Sequence, residues 1–171
     1  AETNEGYQNL LKLITKGQLE GFYYKPRVDY GLLRAYSKGL IVLSGCLAAH
    51  LPRTILNGDE AEIQRVIELH LDIFGKENFY LEMQDHPLIE SQNIVNKRLK
   101  ELAKEYGLGL VVTCDSHYPR PEDSDVHDIM LCIQTQTDTN DGGRMRYLGD
   151  FSLRDVNELK VVFSDTPEAI E

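Results

Sequence analysis

The apolar run Leu108-Gly109-Leu110-Val111-Val112 is too short for a helix, and Gly107 bounds it, so it reads as a buried strand. A long amphipathic segment, residues 89–106, precedes it. A second helical pattern, residues 121–135, follows, with Glu122, Asp123 and Asp125 in its first turns as the helix macrodipole favours. A buried strand between two helical segments points to parallel strands joined by helical crossovers.

The same rhythm fills the rest of the chain. Residues 6–20 place Leu10, Leu11, Leu13 and Ile14 on a helical stripe, and residues 30–36 form a short helix. Residues 39–43 are a buried strand. Residues 47–56 are helical, with an interruption expected near Pro52. Asp59 caps a helix that runs to Phe74, with Glu62 at the capping-box position and Gly75 at its end. Residues 78–83 are the next strand, broken by Gln84-Asp85-His86-Pro87. Residues 137–149 are a polar loop, 151–153 a short extended piece, and 155–163 a last helix. The fold class is therefore α/β, with three strands and one short one, too few for a closed barrel.

The strand ends carry the chemistry. Thr113-Cys114-Asp115-Ser116-His117-Tyr118 follows the third strand directly. In extended chain Asp115 and His117 point the same way, and a carboxylate beside an imidazole suits a divalent metal or acid–base chemistry. The other reading is an N-cap aspartate beside a surface histidine. The first strand ends in Ser44-Gly45-Cys46 and the second in Gln84-Asp85-His86. In α/β folds such ends share one rim, where ligands bind, so Cys46, Asp115 and His117 are expected to converge. Against this, Cys46 could serve as a small buried hydrophobe and Asp85-His86-Pro87 as turn chemistry. A Cys46–His117 nucleophile–base pair is less economical than metal ligation, because it leaves Asp115 without a role. Cys114 and Cys132 read as core, His70 as surface, and His127 as packing near the rim. Lys25 and Arg27 flank Pro26 among Phe22, Tyr23 and Tyr24, as either a phosphate-contacting loop or a stiffened packing segment.

Composition narrows the class. At 171 residues the chain is about one domain. It contains no apolar stretch near the roughly 20 residues of a membrane span, so no membrane partner is expected. Three unpatterned cysteines point to a reducing compartment, the cytoplasm. A net charge of −10 disfavours a broad nucleic-acid surface while leaving room for a local cationic pocket. P-loop and dinucleotide fingerprints are absent. The opening at Ala1 and the close on 166–171 both read as cuts within a longer chain.

Five segments carry a resemblance: residues 20–29 (Glu-Gly-Phe-Tyr-Tyr-Lys-Pro-Arg-Val-Asp), 43–48 (Leu-Ser-Gly-Cys-Leu-Ala), 79–86 (Phe-Tyr-Leu-Glu-Met-Gln-Asp-His), 114–118 (Cys-Asp-Ser-His-Tyr) and 127–135 (His-Asp-Ile-Met-Leu-Cys-Ile-Gln-Thr). Together they resemble the amino-terminal PHP (polymerase and histidinol phosphatase) domains of bacterial DNA polymerase III alpha subunits. The resemblance departs at Ala49-His50, where the family often has Gly-Glu, and at Cys114 and Ser116.

The resemblance implies the later part of a distorted seven-stranded (β/α)7 barrel, residues 1–171, with its first strands missing and a longer polymerase chain at both ends. It implies a divalent-metal cluster at the barrel mouth, most naturally zinc, with manganese or iron as alternatives. Cys46, Asp115 and His117 are the matching ligands, and His86 and Arg27 are candidates to face substrate. The implied partners are a DNA 3′ end and the other polymerase III holoenzyme subunits. The implied activity is 3′–5′ exonuclease chemistry in the intact domain, the alternative being a non-catalytic docking domain. A barrel cut in this way leaves free sheet edges, so the isolated chain is expected to be inactive and to self-associate.

Overall fold

Alternate residues of the central strand face opposite environments. In the computed structural model, which describes residues 1–170, strand β2 (Phe79–Gln84) buries Phe79, Leu81 and Met83 to 1%, 0% and 0% exposure. Tyr80, Glu82 and Gln84 occupy the other face, as the two-residue repeat of a strand requires. Strands β1 (Val42–Leu43) and β3 (Gly109–Thr113) flank β2, and both pair with it in parallel. The register sets Val42 beside Phe79, Leu81 beside Leu110, and Met83 beside Val112. These residues share one face and pack on the core.

Helices cover that face. Helix α3 (His50–Asn57) contributes Leu51 and Ile55, and α4 (Glu60–Phe74) contributes Ile63, Val66 and Ile67. Helix α5 (Glu90–Tyr106) contributes Val95, Leu99 and Leu102, and α7 (Val156–Val162) contributes Leu159. In α3, α4 and α5 these residues recur at three- and four-residue spacing, so each of those helices turns one stripe inward. Asp59 caps α4 by accepting the Glu62 N–H at 3.0 Å. Gly107 ends α5 in the left-handed region at φ 62°, which glycine enters without a Cβ clash.

Helix α1 (Asn4–Leu19) and the short α2 (Tyr30–Ala35) precede the sheet, and α6 (Ser124–Thr135) follows it. The opposite sheet face is less covered: Ile41 and Leu43 are 46% and 40% exposed.

Two expectations change. Strand β1 is two residues long instead of five, because Gly39 is used to dock α1: its carbonyl accepts the Glu2 N–H, and the backbone of Gly6 packs directly against it. Helix α3 begins at His50, not at residue 47, and Pro52 does not interrupt it. Pro52 lies in the first turn, where a missing N–H leaves no bond unmade.

The two-faced sheet sets an expected contrast. Leu81→Ala removes a fully buried side chain and should destabilise the chain by about 2–5 kcal/mol. Leu43→Ala, on the open face, should cost well under half of that. Urea denaturation of both variants checks it, and equal losses would mean that the faces are misassigned.

Candidate functional site at the strand ends

Parallel strands end on the same side, and one carboxylate ties these three ends together. Glu82 of β2 accepts the Gly45 N–H at 3.1 Å on one oxygen. On the other it accepts the Thr113 hydroxyl at 2.5 Å and Gln84 Nε2 at 3.2 Å. The Glu82 N–H donates in turn to Ser44 Oγ at 2.8 Å, and the Ser44 N–H donates to the Tyr80 carbonyl at 3.0 Å. Gly45 turns the chain at φ 80°, and Cys46 follows, half-buried and with a free thiol. An acid among buried apolar residues of a strand was the available sequence signal for Glu82, and the sequence reading took it only as part of the strand.

Beyond β3 the chain does not stay extended. Asp115 adopts φ 48°, so the alternation that put Asp115 and His117 on one face breaks there. A local contact joins them instead: His117 Nδ1 donates to the Asp115 carbonyl at 2.7 Å. A carbonyl can only accept, so Nδ1 carries a proton, and Nε2 meets the Tyr147 hydroxyl at 3.0 Å, where a neutral ring accepts. The His117 N–H donates to the Phe151 carbonyl at 2.8 Å, and the Tyr118 hydroxyl accepts the Phe151 N–H at 2.9 Å.

Tyr147 connects the rim. Its hydroxyl is held above the usual tyrosine range by burial first and by Asp115 and Cys46 next, so both acidic groups act on the hydroxyl that touches His117. The loop that carries it, residues 137–149, is pinned by Arg144. This side chain is 3% exposed and meets Asp128 of α6 through two bonds of 2.5 Å. Arg144 holds the Asp128 carboxyl below the usual range. The sequence reading passed over Tyr147 as part of a polar loop.

His86 was expected to face substrate, but its ring is buried at 4% exposure and stacks on Phe151 at 4.1 Å. Neither ring nitrogen has a hydrogen-bond partner, and burial lowers its pKa. An unmet buried donor or acceptor costs about 1–3 kcal/mol. The nearest charged group is Asp115, whose Oδ2 lies 3.9 Å from Nε2.

Arg27 is exposed between α1 and α2, its guanidinium 5.2 Å from the Tyr23 ring centre. It lines a separate cleft of about 780 Å³ with Lys16, Glu20, Asp29 and Tyr36. Cys114 and Cys132 join apolar surroundings, as expected. His70 is half-buried rather than a surface residue, stacked on Phe79 at 4.9 Å. His127 packs 5.7 Å from His117 and 5.1 Å from Tyr147. Among the described residues no hydrogen bond joins Cys46 to His117.

Asp115 and His117 share one turn at the rim, and Cys46 follows the end of the neighbouring first strand; thiol, carboxylate and imidazole are donor types that suit part of a divalent-metal shell. Among the described residues, however, no three His, Cys, Asp or Glu side chains are grouped closely enough to hold an ion.

A parallel sheet with helical crossovers and a polar rim at its strand ends is a segment of a β/α barrel. The family described as PHP domain matches residues 1–86, half of the sequence, and the chain belongs to that family. The matched residues include Cys46 and His86, and Asp115 and His117 lie beyond them. The relatives extend across the rest. DNA polymerase III subunit alpha of Thermus aquaticus is 44% identical over 165 residues, covering 96% of this chain. The proteins of the same name from Treponema pallidum and Borreliella burgdorferi are 40% identical over 99% and 100% of it. The chain spans only 13%, 14% and 15% of those three proteins. Among the described residues no helix is long and apolar enough to cross a membrane.

The Arg144–Asp128 clasp gives a pH expectation. The Asp128 pKa is lowered in the folded chain, so its contribution is complete above the ordinary aspartate range. It is lost as pH falls through the lower folded value. Melting temperatures of wild type and Asp128→Asn should therefore differ at neutral pH and converge in acid. A difference that persists unchanged in strong acid would show that the ion pair is not its source.

Proposed function

We propose that this chain is the PHP-domain segment of a bacterial replicative DNA polymerase, the alpha subunit of DNA polymerase III. The observation that carries this reading is the shared name of relatives matching 96–100% of the chain at 40–44% identity. Cys46, Asp115 and His117 are this segment's contribution to a divalent-metal centre that side chains elsewhere in the polypeptide complete. The support for the site is position: all three residues lie where parallel strands end, with Asp115 and His117 in one turn and Cys46 directly after the Gly45 that Glu82 holds. A mixed thiolate, carboxylate and imidazole shell suits zinc, with manganese or iron as alternatives. Such an ion polarises a phosphoryl oxygen and lowers the pKa of bound water, which suits hydrolysis of a 3′-terminal phosphodiester. The partners would be a DNA 3′ end and the other subunits of the polymerase assembly.

One observation favours a second reading, a docking domain without catalysis: the Nε2 lone pair of His117 is already taken by Tyr147. Metal analysis of the whole polypeptide separates the two. On the first reading it should bind zinc or manganese, and Cys46→Ala, Asp115→Asn and His117→Ala should each weaken binding at least tenfold. Absence of binding in the wild type would leave the docking reading. The isolated 171-residue chain should show no polymerase activity and at most weak zinc binding. Robust nuclease turnover by it, abolished by EDTA, would overturn the view that its ligand set is incomplete.

A further inference from the structure

The aromatic loop between α1 and α2 takes no part in the strand-end site. Phe22, Tyr23 and Tyr24 are 58%, 63% and 82% exposed, so three consecutive aromatic rings forgo the burial that a fold offers them. Their display is built into the backbone. Gly21 lies so close to Arg27 that a Cβ there would meet the Arg27 carbonyl oxygen at 2.0 Å, which closes the base of the loop. At its tip the Tyr23 N–H donates to the Lys25 carbonyl at 3.1 Å. Between them Tyr24 has φ 59°, a left-handed conformation that a bulky side chain adopts only at a cost.

Positive charge accompanies the rings. Residues 21–28 contain Lys25 and Arg27 and no acid, and both cations are exposed. The flanking acids are committed elsewhere: Glu20 pairs with Lys16 at 3.0 Å, and Asp29 accepts the Leu32 N–H at 2.7 Å to cap α2. Among the described residues neither Lys25 nor Arg27 has an ion-pair partner. The Arg27 guanidinium lies 5.2 Å from the Tyr23 ring centre, and the Tyr24 ring meets Tyr23 at 4.7 Å in a T-shaped contact.

We propose that this loop is a stacking platform for single-stranded DNA, on which Phe22 and Tyr24 take bases while Lys25 and Arg27 take the neighbouring phosphates. Every base has a π-face, so such binding tolerates any sequence. A duplex keeps its base faces stacked on one another, so the rings select unpaired strands. A second copy of this chain is a poorer occupant, because it would bring a net charge of −10 against −10. The same charge confines a polyanion to local cationic ground such as this loop. The choice of DNA over RNA rests on the proposed polymerase reading; the site itself needs no metal at the strand ends.

The test uses the whole polypeptide and an oligothymidylate. With 5-iododeoxyuridine in the probe, photocross-linking and mass spectrometry should place adducts on residues 22–24. Protection of the Lys25 amine from acetylation, followed against probe concentration, reads affinity at this loop alone. Tyr24→Gly should weaken protection about 5- to 150-fold, the range for losing one stacked base. It should nonetheless melt no lower than wild type, since glycine enters φ 59° freely. Tyr24→Phe should keep most of the affinity, and Arg27→Gln should flatten the log–log salt slope by about 0.7. Absence of adducts on residues 22–24, or unchanged protection in Tyr24→Gly, overturns the proposal and leaves the rings to a protein contact. Equal protection by an abasic strand of the same length also overturns it, because phosphates alone would then suffice. Stronger protection by an oligouridylate overturns the assignment to DNA. Extension of a primed template by the wild type reports on the polymerase reading separately.

Discussion

The geometry of the rim depends on the Glu82 carboxylate. Among the described residues it is the one side chain that bonds to the end of all three strands, through the Gly45 N–H, Gln84 and the Thr113 hydroxyl. A half-buried acid is tolerated in a sheet only when its oxygens are met, and here both are. What it stabilises is less the sheet, which the Leu81 and Met83 face already holds, than the position of the chain where it leaves the sheet. Gly45 is drawn onto β2, and the next residue is Cys46. Without that bond, the loop bearing the thiol would keep the bonds of Ser44 to β2 and the Ala49 N–H bond to the Cys46 carbonyl.

The opposite side of the rim is built by a different device. The Asp115–Tyr118 turn has left the ladder, so sheet bonds cannot fix it. It is fixed by a loop distant in sequence, with Phe151 clasped between His117 and Tyr118, and with Tyr147 laid on His117. That loop is polar and glycine-bearing and would be mobile on composition alone. It is anchored by Arg144, whose bidentate contact with Asp128 costs less ordering entropy per bond than a lysine would. Position at the rim thus passes from α6 to the loop and from the loop to His117.

Much of this was legible in the sequence. The strand segment 78–83, the apolar run 108–112 and the caps Asp59 and Gly107 placed strands and helices to within a few residues, because burial pattern and backbone chemistry agree there. Misreadings arose where tertiary contacts override local pattern. Gly39 looked like the start of a strand and is a docking point for α1. Pro52 looked like a breaker and sits where a helix needs no N–H. Asp115 and His117 were placed by strand alternation, and a left-handed residue breaks it. Tyr147 carried no periodic signal, since its partner His117 is thirty residues away. The proposed ligands were found by residue type at strand ends and by resemblance. The groups that hold them, Glu82, Phe151 and Arg144, act through contacts that only the fold discloses.

The two functional readings meet at a single nitrogen. Nδ1 of His117 is committed to the Asp115 carbonyl, so Nε2 has the only lone pair the neutral ring can offer. It can serve the Tyr147 hydroxyl or a cation, but not both. Burial and the neighbouring Asp115 and Cys46 keep that hydroxyl protonated, and so able to donate, through the neutral pH range. In the docking reading the closed arrangement is the working state, and Tyr147 locks the loop to the sheet. In the metal reading Tyr147 must be released from His117 Nε2. The Tyr147–His117 contact is thus the feature on which the two readings differ, and it belongs to a loop that Arg144 ties to α6.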